Sequence, residues 1–493
     1  MNALREERSV SREWYAVPAG PGLFVASFIS LFLELLLIRW VPSVVRIVAY
    51  YGNVMLLSSF LGLGCGLLLA RRGLRLRRFF PPALLLFGAF LFAVRAVNFQ
   101  QGVDELRFLF QSGASTTTLP IAVIFICNAL VFVPLGELIG VYLGKIHPLK
   151  AYSWDLGGAI AGTAAFGLFS YFWFSPIGGL VIVMSAYLIF FCRSAREVFV
   201  ASTVFAVGLA SVAVSSDRAS IWSPYSHITI KKYQDEAARV VAPPENLGTM
   251  QDPPIYIIQV NHDFYMANET IDVRRYSQPT PHVLNRAEQY LMPHLIRADA
   301  KDVLIVGSGG GVDIEAALLS GASRIDAVEI DPVVIDLGRK YNASHSYLNP
   351  RVFVHNTDAR AFFKQSARQY DMVVFGFLDS QGLFSHMSNI RLDGYVYTRE
   401  SFREAFGLLR DGGLLSVSFF QREKCGSSIA WYRWLRPPQA SGLWFIITPA
   451  ARSWFWPERD SFFIRPNGSS ASGASSSSPP ARRRRWTTGR IST

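Results

Sequence analysis

The chain has 493 residues, 51% of them apolar, and a formal net charge of +12. Its charged residues are sparse before about residue 215, which excludes an evenly built soluble enzyme. The basic residues lie in short runs beside apolar stretches and in one tail, so they indicate membrane topology and not a nucleic-acid-binding face. The four cysteines form no CxxC pair, which argues against a metal or redox motif.

The first 214 residues predict a multi-pass helical membrane domain. A membrane-crossing helix needs about 20 apolar residues, and seven stretches approach that length: 23–41, 48–70, 80–98, 121–143, 156–174, 177–191 and 198–214. Basic residues follow the second, fourth and sixth stretches, and they also precede the first. The positive-inside rule assigns these segments to the cytoplasmic side of the cell membrane.

Seven crossings would place the soluble part of the chain outside the cytoplasm. The nucleotide ligand inferred below is instead found in the cytoplasm, which predicts that the soluble part of the chain lies there. We expect the cytoplasmic side, with one stretch re-entrant, interfacial or not crossing.

Polar side chains occur inside these stretches, and they leave two interpretations open. Charges at membrane depth face either a wet path or a partner on a neighbouring helix. The first interpretation is a polar route for a substrate, and the second is structural pairing, for example of Glu34 with an arginine. Glycines at 62, 64 and 66 and at 157, 158 and 162 predict closely packed helix faces.

The remainder of the chain predicts three further segments. Strand-like runs at 222–230 and 255–260 indicate a small β module over 215–300. Strands and helices alternate over 301–425, which is typical of a parallel, doubly wound α/β domain of the Rossmann-like type. The Ser- and Arg-rich segment 426–493 has low complexity, and we expect it to be disordered.

A glycine-rich loop in the α/β segment indicates a nucleotide site. The apolar run 302–306 leads into a loop containing Gly307, Gly309 and Gly311, and a helix follows. Glycines allow tight turns and close backbone approach to a ligand. Glu329 follows about twenty residues later at the end of the next strand, where a carboxylate reaches ribose hydroxyls. Asp358, after the third strand, is placed to accept from an adenine amino group.

The loop favours a ligand without a pyrophosphate. The dinucleotide fingerprint has Gly or Ala at its sixth position, and this chain has Val312 there. An NAD-dependent oxidoreductase is therefore the weakest of the enzyme hypotheses.

Residues 301–420 resemble the spermidine synthase (polyamine aminopropyltransferase) family, whose domain has the class I methyltransferase-like fold. The similar motifs are VLIVGSGGG, AVEIDPVVIDLGRKY, NPRVFVHNTDARAFF, QYDMVVFGFLDS, YTRESF and LLRDGGLLSVSFF, with SPYSHI upstream. The resemblance implies that Glu329 holds the ribose and Asp358 the adenine. It also implies that the co-substrate is S-adenosylmethionine or its decarboxylated form, and that no metal is needed.

The chain departs from the family pattern at two acids. The family's glycine loop contains an Asp at the position of Gly310, and Asp313, one helical turn later, is the expected substitute. The family's catalytic loop reads Asp-x-x-Asp, and alignment places Gly376 at the first acid and Asp379 at the second. Asp379 is therefore the catalytic candidate, helped by His386 or Asp393, with a loop-capping role as the structural alternative.

Three functions follow from these observations. The first is a membrane-tethered transferase that passes an aminopropyl group from decarboxylated S-adenosylmethionine to a polyamine. The second is a methyltransferase that uses intact S-adenosylmethionine on a membrane-associated acceptor. The third is a non-catalytic membrane sensor or transporter with a nucleoside-binding domain. The expected partners are the lipid bilayer and a small cationic amine but no nucleic acid, and a homodimer is a further candidate.

Overall fold

The computed structural model describes residues 17–45, 48, 53–74, 76–96, 115–215, 220–233, 235–239, 245–261, 263–378 and 395–418. The segment 426–493, expected to be disordered, lies outside these residues. The candidates Asp379, His386 and Asp393 also lie outside them.

A bundle of long apolar helices occupies the described part of the chain before residue 216. The helices are α1 Ala19–Val44, α2 Asn53–Ala70, α3 Phe80–Ala96, α4 Ser115–Leu143, α5 Pro148–Tyr171, α6 Pro176–Phe191 and α7 Ala195–Ser215. Four segments are long and apolar enough to cross a membrane, namely Ala19–Val44, Asn53–Ala70, Leu76–Val94 and Ile121–Leu143. Helix α6 is also apolar but shorter.

Glycines bring α2 and α4 into backbone contact. A Cβ built on Gly62 would overlap the carbonyl oxygen of Ala129, and one built on Gly136 would lie 2.8 Å from Cα of Leu63. Small residues allow helices to approach this closely where no hydrophobic force drives them together. Gly64 faces open space, so only part of the glycine pattern serves packing.

Two hydrogen bonds between polar side chains join neighbouring helices of the bundle. The Ser59 hydroxyl donates to the buried Glu34 carboxylate at 2.8 Å. The Asn128 amide donates to the Ser58 hydroxyl at 2.6 Å. The structure thus favours the pairing interpretation for Glu34, but its partner is a serine and not the arginine that was expected.

The basic loops and the soluble part of the chain lie at opposite ends of the bundle. At one end, Arg77 donates to the carbonyl of Phe191 at 3.0 Å and pairs with Glu197 at the start of α7. At the other end, Arg39 near the end of α1 donates to the Ser170 hydroxyl at 2.8 Å and to the Ser223 carbonyl. We call these contacts of Arg39, together with the Ser170 hydroxyl that donates to the Pro224 carbonyl at 2.9 Å, the junction.

An antiparallel sheet follows the bundle. Its strands are β1 Ser220–Trp222, β2 His227–Lys232, β3 Asp235–Arg239, β4 Tyr256–Val260 and β5 Asp263–Asn268. They pair in the order β1-β2-β4-β5, with β3 on β2. Alternate residues of β4 are buried, because one face packs on the next layer of the fold.

A helix that the sequence analysis missed comes next. Helix α8, Pro281–Ile296, lies in the segment that was expected to be purely β. It begins after Thr280, whose hydroxyl accepts from the amide of Val283, and Pro281 occupies its first turn. Pro is favoured there because its missing N–H would have no partner in any case.

The rest of the described chain is a parallel α/β fold, and this part of the fold prediction is confirmed. The elements are β6 Asp302–Val306, α9 Val312–Leu319, β7 Arg324–Glu329, α10 Pro332–Tyr341, β8 Val352–Asn356, α11 Ala359–Gln365, β9 Tyr370–Phe375, α12 Arg399–Gly407 and β10 Leu409–Val417. The strand order is β10-β9-β6-β7-β8, and all pairs are parallel. The order reverses at β6, so its carboxyl end is the expected ligand site.

Candidate active site

A cavity of about 500 Å³ opens at the carboxyl ends of β6, β7 and β9. Its floor is the glycine loop, and its opposite wall is built from β4, β5 and α8. The lining includes Gln259, Met266, His282, Arg286, Tyr290, Gly307, Gly309, Gly310, Asp313, Glu329 and Gly376. A cavity of this size, with polar groups converging on an apolar wall, is typical of small-molecule sites.

The glycine loop presents bare backbone to this cavity. Gly307, Gly309 and Gly311 have φ angles of +70°, +50° and +87°, a region that other residues rarely adopt. A Cβ on Gly311 would lie 2.6 Å from the Ser346 hydroxyl. Gly311 also caps the N-terminus of α9, so free N–H groups of that helix point toward the site.

Glu329 ends β7 beneath the loop and is 4% exposed. One carboxylate oxygen accepts from the Gly309 amide at 3.0 Å, and the other accepts from the Asp331 amide at 3.1 Å. Burial raises the pKa of Glu329, and these backbone N–H groups oppose that rise. Since each carboxylate oxygen can accept more than one hydrogen bond, Glu329 retains capacity for two ribose hydroxyls.

A polar stripe of α8 forms the opposite wall. His282, Arg286 and Tyr290 recur at every fourth residue, so they lie on one face of the helix. Glu269, just after β5, is 1% exposed and binds the His282 imidazole at 3.1 Å and the Arg286 guanidinium at 2.9 Å. The sequence analysis missed this wall. The signal that could have found it was this spacing after a Thr-Pro helix start.

Comparison with known proteins finds a family match that covers this region. The sequence model of the spermine/spermidine synthase domain matches residues 290–425, which contain the glycine loop and Glu329. The chain carries a spermidine synthase-like domain. The resemblance noted from the sequence is thereby confirmed.

Three relatives show how far the similarity extends. Each is named polyamine aminopropyltransferase. That of Alkaliphilus metalliredigens is 35% identical over 101 residues, which are 19% of this chain and 36% of the relative. That of Lachnospira eligens is 30% identical over 131 residues, 25% of this chain and 41% of the relative. That of Vibrio vulnificus is 32% identical over 126 residues, which are 25% of this chain and 38% of the relative. The chain therefore spans about two fifths of the length of these curated relatives.

The adenine candidate of this spermidine synthase-like domain has a structural role as well. Asp358 caps α11, accepting on one oxygen from the amides of Arg360 at 2.9 Å and Ala361 at 3.1 Å. Among the described residues it lines a separate depression and not the main cavity. Burial, and then the charges of Asp331, Asp358 and Glu329, raise the pKa of the Tyr225 phenol. An adenine contact for Asp358 stays a prediction.

The space beside Gly310, where the family has an Asp, is filled from another element. A Cβ on Gly310 would overlap the carboxamide oxygen of Asn268 and would lie 2.8 Å from its Cγ. The Asn268 amide donates to the Leu337 carbonyl at 3.1 Å, and the residue is fully buried. A neutral carboxamide therefore stands beside the loop where the family has a carboxylate.

Asp313, the proposed substitute for that loop acid, faces the cavity from the first turn of α9. Burial raises its pKa to about 7, and the positive charge of Arg286 and a backbone N–H oppose the rise. Its contribution to co-substrate binding stays a prediction. Among the described residues, no group of three or more His, Cys, Asp or Glu is arranged to hold a metal ion.

Proposed function

We propose that this chain is an aminopropyltransferase that uses decarboxylated S-adenosylmethionine and a small cationic amine. The observation that carries the proposal is the Glu329 carboxylate, which is fixed by the Gly309 and Asp331 amides inside a 500 Å³ cavity of the spermidine synthase-like domain. The relatives' name, polyamine aminopropyltransferase, supports the reaction class. The comparisons do not support the methyltransferase alternative.

The residues of the cavity suit this chemistry. The loop amides and Glu329 would bind the adenosyl part and hold the carbon next to the sulfonium toward the cavity. Asp313 would supply a carboxylate for the amine, and Arg286 lines the same cavity. Positioning and charge stabilisation supply most of the rate in such a displacement.

The test is product formation by the purified full chain in detergent. The protein is incubated with decarboxylated or intact S-adenosylmethionine and with diamines of increasing length, and the elongated amine and the adenosyl thioether are measured by mass spectrometry. Glu329→Gln, which is isosteric but neutral, is expected to weaken co-substrate binding at least tenfold. Methyl transfer from the intact form would replace this proposal with the methyltransferase. Co-substrate binding without any product would replace it with the sensor.

We also propose that the helical bundle spans a membrane. Besides the four long apolar segments, large apolar side chains point away from the bundle, among them Leu68, Leu86, Ile189 and Phe199, each about 70% exposed. Such a surface is unfavourable in water and suits lipid. Retention of the chain in membranes after alkaline carbonate washing is the expected result, and release into the supernatant would refute it.

We propose the cytoplasmic side for the soluble part, because adenosyl co-substrates are made there. Because the basic loops lie at the other end of the bundle, this placement puts them outside the cytoplasm, against the positive-inside rule. In a chain whose four native cysteines are replaced by serine, a single cysteine introduced at Asp336 on α10 or at Leu149 in the first turn of α5 reports the side through an impermeant thiol reagent applied to intact cells. Labelling at 336 would refute the cytoplasmic placement and remove the supply of co-substrate.

A further inference from the structure

The space beside Gly376 is occupied by a carboxylate from elsewhere in the chain. Gly376 follows β9 and lines the cavity, at the position where the family pattern has an acid. A Cβ built on Gly376 would overlap Oδ2 of Asp313 and would lie 2.9 Å from its Cγ and 3.3 Å from its Oδ1. The Asp313 carboxylate therefore fills the volume that a side chain at 376 would take.

The sheet order explains how residues 63 positions apart meet. Strand β9 pairs directly with β6, with Phe375 opposite Val306, so the segment after β9 runs beside the glycine loop. Helix α9 begins at Val312, directly after that loop, and Asp313 in its first turn lies beside Gly376 at the end of β9. A carboxylate on this turn and a side chain on residue 376 would compete for one place.

The surroundings of Asp313 contain few groups that would neutralise it. Its carboxylate interacts with its own backbone N–H. The charged and titratable groups that act on it are Arg286 and Tyr290 from α8 and Tyr347 beneath the loop. No ion pair between Asp313 and another side chain occurs among the described residues, so its oxygens are available to a ligand in the cavity.

We propose that Asp313 is the proton-accepting residue of the aminopropyl transfer, in place of the acid that the family has at position 376. This inference rests on the proposed function and assigns the base within it. In the family pattern the carboxylate stands at the end of β9. In this chain that position is a glycine, and the carboxylate is supplied by Asp313 in the first turn of α9. Asp313 is then a catalytic residue and not a substitute for the acid of the glycine loop.

The step balances with the groups named. The acceptor amine nitrogen forms a bond to the carbon next to the sulfonium, and the bond from that carbon to sulfur breaks. The electron pair of the broken bond stays on sulfur, which leaves as a neutral thioether attached to the adenosine. The proton of the attacking nitrogen passes to the Asp313 carboxylate. A base whose pKa is near the working pH is the most effective in such a transfer, and burial brings the pKa of Asp313 to about 7.

The experiment uses the purified full chain in detergent and measures the turnover of decarboxylated S-adenosylmethionine with the best diamine. Asp313→Asn should lower kcat by about 10²–10⁴-fold, the contribution of a general base, with little change in KM for the co-substrate. We expect the wild type to lose rate below about pH 7, as Asp313 becomes protonated, and Asp313→Asn to lack this pH dependence. Asp336→Asn, an exposed carboxylate on α10, is the matched control and should turn over as the wild type does.

A second pair of variants tests the relocation itself. Gly376→Asp alone should be inactive or poorly folded, because its Cβ overlaps Asp313. The double variant Asp313→Ala/Gly376→Asp frees that space and restores the carboxylate, so it should exceed the turnover of Asp313→Asn at least tenfold. If Asp313→Asn does not fold, the double variant decides alone: a folded but inactive double variant overturns the proposal.

The outcomes separate this inference from the proposed function. A wild type that turns over no amine overturns the proposed function and this assignment together. An active wild type with Asp313→Asn within twofold of it overturns the assignment of Asp313 and leaves the proposed function standing.

Discussion

Glu269 offers a sharp test of how the cavity wall is held. Its carboxylate binds the Arg286 guanidinium at 2.9 Å and the His282 imidazole at 3.1 Å, and its own side chain is fully buried. The change Glu269→Gln keeps the shape but removes the charge. Arg286 and His282 would then face a neutral amide that cannot accept from both of them equally well.

The expected loss in the free energy of unfolding follows from the burial of Glu269 and from the partial exposure of its two partners. Breaking a buried ion pair costs about 3–5 kcal/mol. The side chains of Arg286 and His282 remain 17% and 26% exposed and can partly rehydrate. We therefore expect Glu269→Gln to lower the free energy of unfolding by about 2–3 kcal/mol at pH 7. This loss lowers the unfolding temperature of the soluble part by roughly 5–10 °C.

The cost should depend on pH in a defined direction. Burial alone would raise the pKa of Glu269, but the His282 hydrogen bond and the Arg286 charge outweigh it and hold the pKa below its usual value. A depressed folded-state pKa stabilises above the unfolded value of about 4.3, and this stabilisation is lost as pH falls through the folded value. The difference between wild type and Glu269→Gln should therefore be full at pH 7 and shrink below about pH 4.

The assay is thermal unfolding of the full chain in detergent, followed by near-ultraviolet circular dichroism at pH 7 and at about pH 3, below the unfolded pKa of a glutamate. Asp336→Asn is the control, because its exposed pair with Arg339 at 3.4 Å should contribute less than about 0.5 kcal/mol. A Glu269→Gln protein as stable as this control at pH 7 would refute the ion-pair reasoning. So would a destabilisation that is independent of pH.

Three further predictions concern the loop, the bundle and the junction. Gly311→Ala should cost about 1–2 kcal/mol, because Gly311 has a φ of +87°, and should weaken co-substrate binding; calorimetry that shows wild-type affinity would contradict this. Gly136→Leu should separate α2 from α4 and lower the unfolding temperature in detergent, whereas Gly64→Leu, in open space, should not; equal effects would contradict the packing argument. Arg39→Ala should speed amide hydrogen exchange around Ser223, and unchanged exchange there would show that the junction contributes little.

The glycine loop and Glu329 could be predicted because their signal is local. A short apolar strand, a run of glycines and an acid at the end of the next strand fall within about thirty residues, and parallel pairing of β6 with β7 brings them together. The periodicity of 301–420 likewise predicted the parallel sheet. Here the local sequence pattern and the tertiary structure both place the glycine loop beside Glu329.

Helix α8 could not be read in the same way. Its polar residues His282, Arg286 and Tyr290 turn toward the cavity, whereas the polar face of a surface helix is expected to turn toward solvent. Its partner Glu269 lies in a different element. Only the packed structure shows that these polar residues satisfy one another.

The contact between Asp313 and Gly376 was also invisible to sequence reasoning. It depends on which strands are neighbours in the sheet, and no spacing along the chain expresses that. The partner of Glu34 shows the same limit within the bundle, where a serine of α2 fills a role that was assigned to an arginine.

The junction determines how the cavity can move relative to the bundle. A domain attached by one flexible linker samples many orientations. Here Arg39 and Ser170, from two different helices, both donate hydrogen bonds to the segment between β1 and β2, in addition to the covalent connection through α7. These hydrogen bonds restrict rotation of the α/β fold relative to the bundle. We therefore expect the cavity to keep one orientation above the bundle, so that a ligand would always approach it from the same side.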